Sequence, residues 1–331
     1  MIKYSFLDLA YVTEDATIAQ TFEKTLDSAK HAESLGFERF WLAEHHNMDG
    51  VASSATSILI GYVAGNTKKI RVGSGGLMLP NHSPLVVAEQ FGTLATLYPN
   101  RIDLGLGRAP GTDQLTASYI RPDFYEGAQN FPKNVSLLQQ FLSVENKNSK
   151  VRAIPGEGVD VPIWILGSST ESSVLAASYG LPYAFASHFA PAQIKMAFDF
   201  YKKNFQANDV LQEPYNLACV NVIVADTLEE AQRLSTSFYL MFLGIIRNER
   251  RKMQAPIDSM DGVWNVNEEA MVRQMLTCSF IGTKEIVKRE LTNFLNKIPC
   301  NEVMMSCPVY DLEARKKSMT YFTEIINEMN L

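Results

Sequence analysis

Residues 40–46, FWLAEHH, decide both the fold class and the position of the chemistry. The stretch opens with four apolar residues in a row, and a continuous apolar run predicts a strand that is buried on both faces, as in a parallel sheet. Glu44, His45 and His46 follow directly at its C-terminal end. Active sites of α/β proteins lie at the carboxyl ends of parallel strands. The stretch therefore predicts a parallel α/β protein with its site around these three residues.

The unit of a strand, a short turn and a helix recurs on both sides of this stretch. We predict eight strands, at residues 3–9, 39–43, 70–73, 102–106, 162–166, 183–186, 217–225 and 302–306. Strands that alternate with helices are parallel and joined by right-handed crossovers, and eight of them match an α/β protein of the (β/α)8 TIM-barrel class.

Two irregular segments interrupt this repeat. Residues 107–133 are rich in Gly, Pro, Asn and aromatic residues, and residues 244–267 are charged and contain Met and Pro. Both follow predicted strand–helix units, so we predict long insertions at the C-terminal rim of the barrel. No composition shift marks a domain boundary, and we expect residues 1–331 to form a single barrel domain.

Composition excludes several classes of protein. Hydrophobic residues make up 46% of the 331 residues and charged residues 20%, which is enough for a large core and excludes a disordered chain. The net charge is −6, which argues against nucleic-acid binding. The one basic cluster, Arg247, Arg250, Arg251 and Lys252, is interleaved with Glu249 and predicts a solvated surface.

The sequence also predicts a cytoplasmic protein. No apolar run approaches the roughly 18 residues that a membrane-spanning helix needs, and the N-terminus lacks the pattern of a secretory signal. The four cysteines show no CxxC spacing, so neither a disulfide framework nor a structural metal site is expected. They are Cys219, Cys278, Cys300 and Cys307.

Chemically distinctive residues cluster at the predicted C-terminal strand ends. Each alone has an ordinary structural explanation, but a barrel brings all of these strand ends to one rim. Beyond Glu44, His45 and His46, the residues are Asp8, Gly75, Gly76, Gly107, Arg108, Ser168, Ser169, His188 and Cys307.

The segment Gly167-Ser168-Ser169, followed by Ser172, predicts an anion site. A glycine and hydroxyl groups at a helix N-terminus offer backbone N–H groups and the positive end of the helix dipole to a phosphate. Simple capping of the helix by serine is the alternative explanation. Arg108 favours the anion site, because a guanidinium at a neighbouring strand end can bind the same phosphate.

Two further features suggest a site for a flat ring beside a proton-transfer group. Gly75 and Gly76 lack side chains, which lets a ring lie close to the backbone, although a bulge or turn explains them equally well. His45 and His46 are adjacent and would point to opposite faces of a strand. One can act as a general base while the other packs or holds the loop. A metal site built from His45, His82 and His188 is a further alternative.

Four segments together resemble the bacterial luciferase-like flavin monooxygenases, and most closely the stand-alone members that do not emit light. The resemblance covers essentially the whole chain and implies a (β/α)8 barrel, which agrees with the strand–helix pattern. The segments are WLAEHHN at 41–47, VGSGGLMLPNHSPLVVAEQFGTL at 72–94, NRIDLGLGRAPG at 100–111 and PIWILGSSTESSVLAASYGLPYAFASHF at 162–189.

The resemblance implies an enzyme that uses reduced FMN, supplied by a separate NAD(P)H:flavin reductase. The flavin reacts with O2 to give a C4a-peroxyflavin, which oxygenates a small organic substrate. The resemblance assigns the chemistry to His45, and we add His46 as the second catalytic candidate. It assigns the phosphate to Arg108 and to the serine loop, with Ser168, Ser169 and Ser172. It also implies a non-prolyl cis peptide between Gly75 and Gly76.

We add Phe6, Glu44 and Gly107 to the predicted flavin-binding residues. The light-emitting subunit of the family has a glutamate at the position of Ser168 and a reactive cysteine at that of Gly107, so we expect no light emission. The alternatives are a flavin-binding barrel without turnover, a deazaflavin-dependent oxidoreductase and a metal-dependent hydrolase. Family members are often dimers, and the apolar helix at 84–97 predicts a homodimer through the early helices.

Overall fold

The computed structural model describes residues 1–249 and 251–330, so Arg250 of the basic cluster and Leu331 lie outside the described residues. The strands are β1 Lys3–Asp8, β2 Arg39–Leu42, β3 Arg71–Met78, β4 Ile102–Gly107, β5 Ile163–Gly167, β6 Tyr183–Phe185, β7 Asn216–Val224, β8 Ser279–Gly282 and β9 Glu302–Ser306. The α-helices are α1 Ile18–Ser34, α2 Thr56–Gly65, α3 Pro84–Leu97, α4 Gln114–Ile120, α5 Phe124–Gln129, α6 Phe131–Leu142, α7 Thr170–Ser178, α8 Ile194–Asn204, α9 Leu228–Ile246, α10 Val266–Met275, α11 Lys284–Lys297 and α12 Leu312–Met329.

Local sequence signals set the ends of these helices. Thr17 and Gln20 form a capping box at the start of α1, and Gly36 follows the helix with a φ of +79°. This left-handed conformation suits glycine at a helix C-terminus. Asp311 caps α12 by accepting a hydrogen bond from the backbone N–H of Ala314, at 2.8 Å. No helix among the described residues is long and apolar enough to cross a membrane.

Eight parallel strands close into a barrel, which confirms the predicted (β/α)8 fold. The strand order is β6-β5-β4-β3-β2-β1-β9-β7, and the pairing of β6 with β7 closes the ring. Strand β8 was not predicted. It pairs with the second half of β7, from Asn221 to Val224, while β9 pairs with the first half. Its four residues are too few to show a period in the sequence.

Charged residues fill the N-terminal end of the barrel interior. Arg39 donates to Glu302, with Nε 2.8 Å from Oε1, and to Asp103, with Nη1 2.7 Å from Oδ2. The Arg39 guanidinium also stacks on the ring of Trp164, at 4.8 Å from its centroid. An apolar layer that includes Trp41 and Trp164 lies in the same interior. The N-terminal end of the barrel interior is therefore packed with side chains, and we look for the active site at the C-terminal end, the mouth of the barrel.

The two insertions differ in structure. The prediction of residues 107–133 as an irregular segment was incomplete, because they contain α4 and α5, and α6 begins at Phe131. These two helices have seven and six residues, which is too short for a recognisable apolar period. The second insertion is largely irregular, and Met253 pairs with Thr13 beside the loop that follows β1. Its exposed Arg251 pairs with Glu249, as expected of a solvated surface.

Candidate active site

Glu44 is a fully buried carboxylate at the end of β2. It lies 2.9 Å from Nε2 of His46 and 2.9 Å from Nε2 of His82. It also accepts hydrogen bonds at 3.0 Å from the Asn81 side chain and from the Met78 backbone N–H. A carboxylate can only accept, so both histidines carry their proton on Nε2. Glu44 therefore holds together the segments that follow β2 and β3.

The protonation of Glu44 follows from these contacts. Burial would raise its pKa, but the hydrogen bonds from His46 and His82 outweigh burial and lower the pKa to about 2. The group is thus ionised at neutral pH. The Nε2 atom of His46 is committed to this carboxylate, a position that does not support the prediction of His46 as a catalytic residue.

We expect Glu44→Gln to lower the free energy of unfolding by about 3 kcal/mol at pH 7. The folded pKa of about 2 lies below the ordinary value of 4.5, so ionised Glu44 stabilises the fold above pH 4.5. This contribution is lost as the pH falls from 4.5 towards 2, so the difference in the free energy of unfolding between variant and wild type should be smaller at pH 3. Urea unfolding at pH 7 and at pH 3 measures this difference.

The matched control is Glu313→Gln, which removes an exposed ion pair with Lys316. An exposed pair contributes at most about 1 kcal/mol, so this variant should unfold close to wild type. If the free energy of unfolding of Glu44→Gln differs from that of wild type by the same amount at pH 7 and pH 3, the assignment of a buried, ionised carboxylate is wrong.

His45 is half-buried and presents one free ring nitrogen. Its Nδ1 lies 3.2 Å from the carbonyl oxygen of Gly111, which can only accept, so Nδ1 carries the proton. Its Nε2 has no hydrogen-bond partner in residues 1–249 and 251–330. Burial lowers the pKa of His45, so the ring is neutral at pH 7. The free Nε2 is therefore a proton acceptor.

His188 follows β6, on the opposite side of the barrel from β2. Burial, with a smaller effect from His45, lowers the pKa of His188 to about 3. The Nδ1 atom of His188 is buried and has no hydrogen-bond partner within the described chain. Such an atom is normally satisfied by water or a ligand.

The three histidines of the alternative metal site do not converge. His82 is bonded to Glu44. Among the described residues, no three His, Cys, Asp or Glu side chains are placed to hold a metal ion.

Gly75 and Gly76 lie in β3, and the peptide bond between them is cis, as the resemblance implied. A Cβ on Gly75 would lie 2.8 Å from Leu7 and 2.9 Å from Trp41, and one on Gly76 would lie 3.0 Å from Leu166. Alanine at either position would clash with these neighbours.

Arg108 lies at the N-terminus of α7. Its Nη2 is 2.6 Å from Oε2 of Glu171 in the first turn of that helix, and both side chains are largely exposed. Ser169 is the N-cap residue, and its hydroxyl makes no capping hydrogen bond. This arrangement brings a guanidinium, an uncommitted serine hydroxyl and a helix N-terminus together. It is the predicted arrangement of an anion site, with Ser168 beside it in the same loop.

The contacts of Ser172 do not support its predicted role. Its hydroxyl donates to the Ser169 carbonyl at 2.7 Å and lies 2.9 Å from the hydroxyl of Tyr183. A Cβ on Gly167 would come within 2.1 Å of the Ser172 Oγ. Ser172 therefore packs inside the loop that carries Ser168 and Ser169, and braces it.

Phe6 is the clearest correction among the predicted cofactor residues. It is fully buried, stacks on Phe40 with 5.4 Å between ring centroids, and lies under the guanidinium of Arg315. It thus belongs to the core between the strands and the helices, not to the mouth. Gly107 is buried at the end of β4, where a Cβ would meet the sulfur of Met78 at 2.7 Å.

Sequence reasoning missed Asn81 and Gly111. Asn81 bonds Glu44, and Gly111 bonds His45. Both lie within the segments that carry the resemblance, 72–94 and 100–111, which was the available signal. Their type, an amide and a glycine after a proline, indicates only a turn.

The chain belongs to the luciferase-like monooxygenase family, whose model matches residues 3–296. It is 49% identical to the Bacillus subtilis protein YvbT over 97% of this chain and 96% of that protein. It is 45% identical to an Escherichia coli luciferase-like monooxygenase over 99% of this chain and 98% of the relative. A Bacillus subtilis N-acetyl-S-alkylcysteine monooxygenase is 33% identical, with coverage of 97% and 96%. Because this chain belongs to that family, it is a flavin-dependent monooxygenase.

Solved structures share the fold. Apo-MsnO8 superposes with a TM-score of 0.87 at 29% identity and 99% coverage of both chains. The oxygenating constituent of 3,6-diketocamphane monooxygenase from Pseudomonas putida, solved with FMN, gives a TM-score of 0.73 at 16% identity, with coverage of 98% and 97%. An F420-dependent secondary alcohol dehydrogenase gives 0.69 at 13% identity, with coverage of 98% of both chains. The last two show the fold alone.

Proposed function

We propose that this protein is the oxygenase of a two-component system, which takes reduced FMN and O2 and oxygenates a small organic substrate. The observation that carries the proposal is the mouth of the barrel. It combines the cis peptide between Gly75 and Gly76 with a neutral His45 whose Nε2 has no partner among the described residues. A sensor or storage barrel would need the ring surface but no such base.

The rim supports FMN as the form of flavin. Arg108 is held at the N-terminus of α7 by an exposed pair with Glu171, and an exposed pair costs little to exchange for a phosphate. The helix N-terminus and the guanidinium would then bind the same dianion. Ser169, with a hydroxyl free of capping duty, and Ser168 would complete the phosphate site.

The residues of the mouth have separate tasks in this proposal. When bound, reduced flavin would supply the reaction with O2. His45 Nε2 takes up or returns a proton at the reacting atoms, as a neutral imidazole can near pH 7. Gly75 and Gly76 let the ring lie against the backbone. Glu44 holds the loops that frame the mouth.

The substrate is a small organic molecule. The related N-acetyl-S-alkylcysteine monooxygenase supports this class, since it is 33% identical over nearly the whole chain. The two insertions at the rim, residues 107–133 and 244–267, would shape the substrate pocket and exclude water.

The partners follow from this function. We propose an NAD(P)H:flavin reductase that supplies reduced FMN transiently, a cytoplasmic location and a homodimer. Helices α2 and α3 support the dimer, because Ile58, Tyr62, Val86 and Leu97 on them are 71%, 40%, 44% and 63% exposed. Exposed apolar side chains on neighbouring helices are typical of a subunit interface.

A stopped-flow experiment tests the proposal. The protein is mixed with photoreduced FMN without oxygen, binding is confirmed by fluorescence, and O2 is added. The proposal predicts a bound intermediate that forms and decays slowly to oxidised FMN. Reoxidation at the rate of free flavin would contradict it, and binding of reduced deazaflavin in place of FMN would identify the alternative oxidoreductase.

A further inference from the structure

One carbonyl group of the first insertion is bonded to both histidines of the EHH stretch. The Gly111 oxygen lies 3.2 Å from Nδ1 of His45 and accepts a hydrogen bond from the backbone N–H of His46, also at 3.2 Å. We propose that Gly111 is a positioning residue, which fixes His45 in the Nδ1–H tautomer and so presents Nε2 as an acceptor. The proposal deepens the function above, because it rests on His45 as the base.

The backbone at this position requires glycine. Gly111 has a φ of +67°, which L side chains rarely adopt. A Cβ here would lie 2.6 Å from the carbonyl oxygen of Glu44 and 3.2 Å from Cγ of Met78. The Glu44 carbonyl belongs to the backbone and cannot rotate away as a side chain does. A side chain at position 111 would therefore shift the backbone there and move its carbonyl oxygen away from Nδ1 of His45.

Neighbouring contacts hold the carbonyl in place. The Asn81 side chain donates to Glu44 and to the carbonyl of Pro110, both at 3.0 Å. Thr112 donates to the His46 carbonyl at 2.9 Å. The buried carboxylate of Glu44 is thus connected through Asn81 and Pro110 to the carbonyl that orients His45. The Glu44 carboxylate thus acts on His45 through these contacts and not through a direct hydrogen bond.

The tautomer decides what the base can do. A neutral imidazole has one N–H and one lone pair, and a hydrogen bond to one nitrogen selects the state of the other. With the Gly111 acceptor withdrawn, the Nε2–H tautomer becomes accessible, and it presents a donor to the mouth. The ionisable groups near the ring are Glu44, His46 and His188. Glu44 is occupied by other donors and does not replace the lost acceptor.

Nitrogen-15 NMR of histidine-labelled protein tests the proposal without flavin or turnover. The chain has five histidines, and the His45 signals are assigned by their loss in His45→Gln. At about pH 8, where imidazoles are neutral, wild-type His45 should be the Nδ1–H tautomer. In Gly111→Ala the tautomer ratio should shift about fivefold towards Nε2–H, as expected for the loss of one ordinary hydrogen bond.

Two variants separate this role from general disturbance of the fold. Thr112→Val loosens the same segment but keeps the Gly111 carbonyl, and it should leave the tautomer unchanged. Gly262→Ala strains a glycine with a φ of +75° that has nothing within 4 Å of its Cβ, and it should also leave the tautomer unchanged.

The outcomes are distinct from those of the proposed function. An Nε2–H tautomer for His45 in the wild type would overturn the inference even if Gly111→Ala did not fold. An unchanged ratio in folded Gly111→Ala would overturn it as well. The expected shift, found in a protein that forms no oxygen intermediate, would support the positioning role and reject the oxygenase.

Discussion

Replacement of His45 by alanine should leave the affinity for reduced FMN near that of wild type and reduce coupled oxygenation by roughly 10²–10⁴-fold, the usual contribution of a general base. The reason is geometric. The His45 Nδ1 is occupied by Gly111, and its Nε2 has no partner in the described part of the chain. The measurement is the product formed per flavin oxidised, with the substrate that a screen identifies, alongside the hydrogen peroxide released.

His31→Ala is the matched control for this prediction. His31 is also half-buried, but its Nε2 is bonded to the Lys316 carbonyl between α1 and α12. This variant should oxygenate at the wild-type yield. An unchanged product yield in His45→Ala would remove His45 from the chemistry and make His188 the next candidate.

Arg108→Ala should weaken the binding of FMN by about 10–100-fold, while riboflavin, which lacks the phosphate, should bind as to wild type. The range corresponds to a hydrogen bond to a charged group, worth about 1.5–3 kcal/mol. Arg108 is exposed, and its one ion pair among the described residues is with Glu171, so its loss should not disturb the fold. Titration of both flavins by fluorescence gives the two affinities.

Two companion variants sharpen this test. Glu171→Gln removes the carboxylate that competes with phosphate for Arg108, and it should tighten FMN binding about twofold to fivefold, the scale of an exposed ion pair. Arg273→Ala removes an exposed arginine that pairs with Glu269 and should have no effect. Equal losses of FMN and riboflavin in Arg108→Ala would mean that the arginine does not touch the phosphate.

The sequence was sufficient for the barrel because each strand is a buried run followed by a short turn and a helix. The same burial on both faces explains the error at Phe6. In a strand without alternation nothing distinguishes the residue that faces the interior, such as Leu7, from one that faces the helices. The missing strand β8, Ser279–Gly282, has only four residues and leaves too little pattern.

Site residues were predictable where the residue type implies chemistry. Glu44 and His45 were named at once, but the separation of their roles depends on hydrogen bonds that join distant segments. Gly111 lies 66 residues from His45, and only the folded chain shows that its carbonyl selects the free nitrogen. Ser172 has a suitable hydroxyl, and only its contact with Tyr183 shows that the hydroxyl is already engaged.

The packed N-terminal end of the barrel interior bears on the order in which flavin and substrate bind. Arg39 is buried at that end and bonded to both Glu302 and Asp103. We therefore expect flavin and substrate to enter and leave through the mouth at the opposite end. A flavin bound at the mouth would obstruct the entry of the substrate. Steady-state kinetics should accordingly show an ordered mechanism, with flavin first on and last off.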